Sequence, residues 1–469
     1  MLPLVALAAS AAALWFGTGL HPLWWLTWFA PVPVLLAAAR LSRRSTFALA
    51  LLAWAIGGLN MWSYCRATLH IPPVAALGIV VLPALAFALC VLVYRAVLRA
   101  SAWRAALIFP GVWVLYEFLA GTFSPHGAFG DIGYSQMDFL PLLQLASVTG
   151  IWGIGFCLFL FAATLGVLLS RRGNPREKRR LALAVAAVFI LVLGFGAWRL
   201  HSTLPAQNTV MVGLVASDLP RNILTEQPAD TLRLLHDYAD HAGTLAAQGA
   251  RVIVMPEKVA VLLDSNLPEV DSLLRATASR TGASLLVGVI HPTPGARWNE
   301  ARLYSPTGAV RIYEKHHLLP SFESAFKPGT ARTVWREPSG LWGIAICKDM
   351  DFPPLGREYG RAGIGLLLVP AWDFNLDGWL HGRMAVLRGV ESGFTIARAP
   401  KQGILAVTDN TGRVLAERQT GSAPFTSLLA AAPVRHTPTL YARFGDWFPW
   451  LDVAALICLV AGTITLRRN

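Results

Sequence analysis

The sequence predicts a polytopic α-helical membrane domain joined to an α/β domain, and three observations lead to this fold class. Hydrophobic residues fill 55% of the 469 positions and charged residues only 14%, which is more apolar side chain than a water-soluble fold of this size normally buries. Eight apolar stretches reach the length of about 18 or more residues that a bilayer crossing requires. Between the seventh and the eighth runs a segment of ordinary globular composition, with amphipathic stretches and Gly/Pro turns, sized for one domain.

The apolar stretches lie near residues 2–20, 22–39, 46–64, 73–93, 105–121, 150–170, 181–198 and 449–465. The first has no basic leader and is followed at once by another, so it is expected to remain as a span and not to be cleaved as a signal peptide. Arg40, Arg43 and Arg44 follow the second span; Arg95, Arg99 and Arg104 follow the fourth; Arg171, Arg172, Arg176, Lys178, Arg179 and Arg180 follow the sixth; Arg467 and Arg468 follow the eighth. The loops after the third and fifth spans carry only Arg66. Basic residues in alternate loops mark the cytoplasmic side, which puts both ends of the chain inside a bacterial-type inner membrane and the large domain on its periplasmic or outer side. These fourteen residues also explain most of the net charge of +13. The excess reports topology, and no nucleic-acid partner is expected. The expected organisation is a transmembrane domain of seven helices over 1–201, a catalytic domain over 202–445, and a last membrane helix with a basic tail over 446–469.

Cys65, Cys90, Cys157 and Cys458 lie in or at the ends of spans, where a cysteine is expected to be a small apolar packing residue. Cys347 alone lies in the outward domain. A single cysteine in an oxidising compartment forms no internal disulfide, so this thiol is either buried and inert or kept for its reactivity. No CxxC pair or His/Cys ligand spacing suggests zinc, and no metal or other cofactor is expected.

Within the domain, strands and helices alternate. "TVMVGLVA" (209–216) reads as a strand, and the next segment places Leu232, Leu235, Tyr238, Ala242 and Leu245 on one helix face. "RVIVMPE" ends a strand at Glu257, "SLLVGVI" is a strand, "VRIYEKHH" ends one near Lys315 and "GIAICKD" ends one at Cys347. Alone, each has an ordinary reading: a turn carboxylate, a solvated lysine, a core cysteine. Three reactive residues that each follow an apolar strand fit the strand ends where α/β folds present chemistry.

These motifs resemble those of the nitrilase (carbon–nitrogen hydrolase) superfamily: "MPE" for its glutamate, "YEKHHLLPSFE" for its lysine and "ICKDMDFP" for its cysteine. "WDFNLDGWLHGRMAVLRGVESG" and "ARAPKQGILAVTDNTGRVLAE" follow the superfamily's helix and succeeding strand pair. In the membrane part, "PGVWVLYEFLAG" and "GYSQMDFLPLLQLASVTGIWGIGF" are similar to segments of the apolipoprotein N-acyltransferases, the membrane branch, and that resemblance covers essentially the whole chain. It implies an α-β-β-α sandwich for the outward domain and a Glu257, Lys315, Cys347 catalytic set. Glu257 would exchange the thiol proton, Lys315 and the backbone N–H of Lys348 would hold the oxyanion, and Glu323, eight residues after the lysine, would support it. The implied reaction is ping-pong acyl transfer from a phospholipid, through a Cys347 thioester, to the N-terminal diacylglyceryl-cysteine of a lipoprotein, by a monomeric enzyme in the bilayer.

The chain departs from the family pattern where Lys348 and Asp349 replace the usual Tyr-Glu, where "PSFE" replaces "PFGE", where Trp372 to Phe374 belong to "PAWDF", and where the loop around Arg221 lacks an expected tryptophan. These positions leave acceptor identity open, with a membrane-anchored hydrolase or transferase acting on another amine or amide as the alternative. Glu117, inside a span, reads equally as a functional group or as a satisfied structural carboxylate. His126 is expected to be a solvated loop residue, His316, His317 and His381 structural, and Trp24, Trp25, Trp28, Trp447 and Trp450 interfacial.

Overall fold

The computed structural model describes residues 1–171, 174–202 and 208–468, so Arg172 and the side chains of Arg467 and Arg468 fall outside the described set. The chain divides into two compact units, one of Met1–Ser124, Ala128–Ser202 and Phe444–Asn469, the other of Pro125–Gly127 with Thr203–Arg443.

The first unit is helical. Pro73–Leu98, Ala102–Phe123, Trp152–Leu169 and Pro175–His201 are long and apolar enough to cross a membrane, and they make this a multi-pass membrane protein. Among the described residues, Leu2–Gly17, Leu26–Ala38, Leu140–Thr149 and Trp447–Leu459 are apolar but shorter. The stretch expected as one span near 22–39 is divided into Leu26–Phe29 and Val32–Ala38, because Pro31 has no N–H to continue the first helix. Trp28 is buried, its indole N–H donating to Gln136 Oε1 at 2.8 Å, whereas Trp25 and Trp450 are exposed. Cys65, Cys90 and Cys157 are buried; Cys458 is instead exposed on the last helix. Glu117 is buried; its Oε1 accepts the main-chain N–H of Ile132 at 2.8 Å, while its Oε2 has no hydrogen-bond partner among the described residues.

The second unit is built from thirteen strands among the described residues. One sheet contains β1 (Thr209–Ala216), β2 (Val252–Val254), β3 (Ala260–Val261), β4 (Ser284–Thr293), β5 (Ala296–Tyr304), β6 (Val310–Glu314) and β13 (Thr426–Pro433), ordered β13-β1-β2-β4-β5-β6 with β3 pairing β4. The other contains β7 (Thr333–Glu337), β8 (Gly340–Ile344), β9 (Leu366–Trp372), β10 (Thr395–Lys401), β11 (Ile404–Thr408) and β12 (Val414–Gln419), ordered β12-β11-β10-β9-β8-β7.

Alternation along the strands decides what each layer touches. Val212, Leu214, Val252, Val254 and Leu286 meet Ile344, Leu366, Leu368, Ala397 and Val407 between the sheets. The opposite face of the first sheet, through Val215, Ile253, Leu285 and Val287, packs on Leu234, Leu235, Tyr238 and Leu274 of helices Pro228–Ala247 and Leu267–Thr281. Leu367, Val369 and Ile396 pack on Leu355, Tyr359 and Ala385 of helices Pro353–Ala362 and Gly378–Ser392. The layers are α-β-β-α, the sandwich that the motifs implied.

Candidate active site

The parallel neighbours β2 and β4 lie in one sheet, and β8, β9 and β10 in the other; the reactive residues follow the ends of these strands and of β6. β2 stops at Val254, so Met255 and Pro256 separate it from Glu257, which therefore sits on a turn and not at the strand end itself. The turn lies against β4: Gly288 N–H donates to Pro256 O at 3.0 Å, and a Cβ on Gly288 would fall 2.5 Å from the Cα of Glu257. Only glycine permits that approach. Glu257 N–H donates to Ala371 O in the second sheet at 3.2 Å, and the next residue, Lys258, has a left-handed φ of 50°.

Lys315 follows β6, and its N–H donates to Asn299 O of β5 at 2.9 Å. Its ammonium, 2% exposed as a residue, lies 2.9 Å from both Glu257 Oε1 and Glu323 Oε2. Asn299 Nδ2 donates to Glu257 Oε1 at 2.6 Å and to Glu323 Oε1 at 2.7 Å. Lys258 Nζ closes the cluster, 2.7 Å from Glu323 Oε1. Two carboxylates thus face two ammonium groups and one amide, all largely withdrawn from water. Burial alone would lower Lys315, but the Glu257 and Glu323 carboxylates overcome it and hold the amine well above the ordinary lysine range. Burial would likewise raise Glu323, yet Lys315 and Lys258 hold it well below the usual carboxylate range.

Cys347 opens the tight turn Cys347–Asp351 three residues past the end of β8. Its φ of 45° is left-handed, a conformation that costs a non-glycine residue of order 1–3 kcal/mol and persists where the surroundings impose it. The half-buried thiol donates to Trp372 O at 3.5 Å. Burial and the Glu257 carboxylate push the thiol up, against a smaller lowering by Lys315 and Arg398; the cysteine thus lies within electrostatic reach of both other motif residues. The N–H of Lys348 stands at the head of the turn, where helical N–H groups have no partner within the helix.

Asp349 fixes this turn to the lysine loop. It accepts from Ile346 N at 2.9 Å, Tyr313 Oη at 2.7 Å, His316 N at 3.2 Å and His317 N at 2.9 Å. His317 stacks on Phe352 at 3.7 Å. The Lys348 side chain is buried, with its ammonium 3.5 Å from Asp351 Oδ2 and 3.3 Å from His126 Nδ1. His126 is consequently no solvated loop histidine: it is half-buried beside Lys348, and burial together with that ammonium lowers it to about 4. The neutral ring accepts a hydrogen bond from the lysine ammonium.

Asp373, Asp377 and His381 are grouped closely enough to suggest a cation site. Arg398 already supplies that charge, its Nη2 and Nη1 lying 2.5 and 2.8 Å from Asp373. Burial lowers His381, but Asp377 at 3.0 Å more than compensates and raises it to about 9, so the cluster is internally balanced.

Sequence reasoning missed Asn299 and Lys258. Asn299 stands in "ARWNEARLY", the β5 strand, where its inward alternation with Ala301 and Leu303 is the signal that could have found it. Lys258 gives no such signal, because only the turn geometry directs it to Glu323.

A sandwich of this kind, with the carboxylate–lysine cluster at its strand ends and a membrane-spanning helical unit in the same chain, defines a membrane-anchored enzyme of the nitrilase superfamily. The models of two families match: Apolipoprotein N-acyltransferase N-terminal domain over residues 10–164 and Carbon-nitrogen hydrolase over residues 219–427. Proteins called Apolipoprotein N-acyltransferase align along most of the chain. That of Geobacter metallireducens is 26% identical over 95% of this chain and 91% of its own. That of Rhodopseudomonas palustris is 27% identical over 98% and 86%, and that of Haemophilus ducreyi 23% over 95% and 93%. Along most of its length the chain is thus similar to the apolipoprotein N-acyltransferases. Among solved structures, an amidase from Nesterenkonia sp. matches 50% of this chain and 93% of its own at 23% identity and a TM-score of 0.42. A Saccharomyces cerevisiae member of branch 10 of the nitrilase superfamily matches 49% and 92% at 18% identity and a TM-score of 0.41.

Proposed function

We propose that the protein is a phospholipid-dependent N-acyltransferase that acylates the N-terminal diacylglyceryl-cysteine of lipoproteins through a thioester on Cys347. The observation that carries this reading is the Lys315 ammonium held 2.9 Å from both Glu257 and Glu323 beside the strained Cys347 turn. Glu257 takes the thiol proton as sulfur attacks the ester carbonyl of the donor. Lys315 and the Lys348 N–H hold the resulting oxyanion. Collapse breaks the ester C–O bond, and the departing lysophospholipid oxygen takes the proton back from Glu257. The acceptor's α-amine then attacks the thioester carbonyl, Glu257 accepts a proton from nitrogen, and the C–S bond breaks. The amide leaves while the proton returns to sulfur. Glu323 and Asn299 keep Lys315 and Glu257 in register throughout.

The membrane-spanning helices account for the donor: an enzyme anchored in the bilayer meets phospholipid without a soluble carrier. The alternating basic loops support an outward-facing domain in a bacterial inner membrane. A second reading, transfer to a different amine or amide, is favoured by Lys348, whose side chain bonds Asp351 and His126 at a position where the family usually has tyrosine.

Intact mass analysis of the purified protein after exposure to phosphatidylethanolamine tests the first step. An acyl adduct on Cys347, discharged by a diacylated lipopeptide with matching mass gain, is the expected result. Substrate conversion without any adduct would remove the ping-pong mechanism.

A further inference from the structure

The cations around the cluster are engaged, with one exception. Lys315 and Lys258 pair with Glu257 and Glu323, Arg398 with Asp373, and Lys348 with Asp351. Lys401 is fully buried and donates to the carbonyls of Ile223 and Lys258, under the ring of Trp372 at 3.7 Å. Arg297 is half-buried, takes part in no ion pair among the described residues, and has an Nε without a hydrogen-bond partner.

Its place is defined by three contacts. Arg297 lies two residues before Asn299 on β5, so both side chains project from the same face, one pleat apart. Asn299 touches both glutamates of the cluster, which puts Arg297 at its rim. The carbonyl of Arg297 accepts the N–H of Lys327 at 2.9 Å, tying β5 to the loop that carries Glu323 and Phe326. The guanidinium carbon lies 4.9 Å from the centroid of the Phe326 ring, whose other cation is Lys258 at 5.7 Å. Lys258 in turn lies 5.4 Å from Trp372. Cations and rings therefore alternate from Arg297 to Lys401 along the site.

A guanidinium held over an aromatic ring is pre-positioned and keeps its N–H edge for a planar anion, and phosphate takes that edge bidentately. A partly buried donor without an acceptor gains when one arrives. We propose that Arg297 is a binding residue for the phosphodiester group of the acyl donor, so that the enzyme recognises its donor by the phosphate as well as by the acyl ester. This inference rests on the acyl-enzyme reading above and names the part of the substrate that Arg297 takes.

The test compares two acyl donors in mixed micelles: phosphatidylethanolamine, which carries the phosphodiester, and diacylglycerol, which offers the same esters without it. Thioester formation on Cys347 is followed by intact mass for wild type, Arg297→Gln and Arg297→Lys. Arg297→Gln is expected to raise the half-saturating concentration of phosphatidylethanolamine about tenfold, with the maximal rate within about twofold and no change with diacylglycerol. Arg297→Lys, which keeps the charge and loses the fork, should fall between. Inorganic phosphate should compete with phosphatidylethanolamine in the wild type and not in Arg297→Gln if the residue binds phosphate from any source; slowing of both alike overturns the assignment. Equal losses with both donors, or none with either, also overturn it, while the acyl-enzyme reading stands. A wild type that forms no thioester with either donor overturns both.

Discussion

Asp349, two residues past Cys347, holds the main-chain N–H of His317, two residues past Lys315, at 2.9 Å. Through this contact, and its bonds to Ile346, Tyr313 and His316, one fully buried carboxylate sets the spacing between the Cys347 turn and the Lys315 loop. Asp349→Ala leaves several buried donors unpaired, at roughly 1–3 kcal/mol each before relaxation. It should lower the denaturation midpoint of the sandwich markedly. Asp349→Asn keeps one carbonyl oxygen and should cost less. Indistinguishable midpoints for the two variants would show that the loops hold their spacing without it.

The carboxylate–lysine cluster should make stability depend on pH in a defined direction. Glu323 is depressed in the folded protein, so its contribution is present above its unfolded value of about 4.3 and is lost as pH falls through the folded value. Lys315 is raised, so its contribution is present below about 10.4 and is lost only as pH climbs through the folded value. Melting curves of the wild type should therefore weaken below about pH 4 more steeply than those of Glu323→Gln. Parallel slopes would place the acid sensitivity elsewhere.

Cys347→Ala should abolish both half-reactions, because no covalent intermediate can form. Glu257→Gln should slow thioester formation by about two to four orders of magnitude by removing the proton acceptor. The same change removes a negative charge that raises the thiol, so alkylation by a small electrophile should reach its plateau at lower pH in the variant. Opposite shifts in the two assays separate the proton-transfer role of Glu257 from its electrostatic effect on sulfur; an unchanged acylation rate would remove Glu257 as the base.

Lys348→Tyr tests the departure beside Cys347. The main-chain N–H survives the substitution, so lysophospholipid release should stay within about tenfold. Transfer to a diacylated lipopeptide should change more, because the side chain's contacts with Asp351 and His126 are lost. Equal effects on both steps would end the assignment of this position to acceptor choice.

Membrane orientation has a direct check. A reporter active only outside the cytoplasm should be active when fused after residue 300 and silent when fused near Arg176. The reverse pair of results would overturn the outward placement of the catalytic domain.

What the sequence by itself determined is written in local patterns. Apolar runs longer than a soluble core needs specified a membrane unit, and the β-rich run "TVMVGLVA" specified β1 to the residue. The motifs around Glu257, Lys315 and Cys347 carried the resemblance to the nitrilase superfamily, because chemistry at strand ends leaves a linear signature. Tertiary structure alone decided which groups meet. Asn299 reaches Glu257 across 42 residues of chain and Lys258 reaches Glu323 across 65, and neither separation carries a period that a sequence displays. His126, 222 residues from Lys348, becomes its partner for the same reason. The broken segment at Leu26–Phe29 and Val32–Ala38 shows the converse limit: hydropathy counts apolar side chains, whereas helix continuity depends on backbone N–H groups, and Pro31 has none.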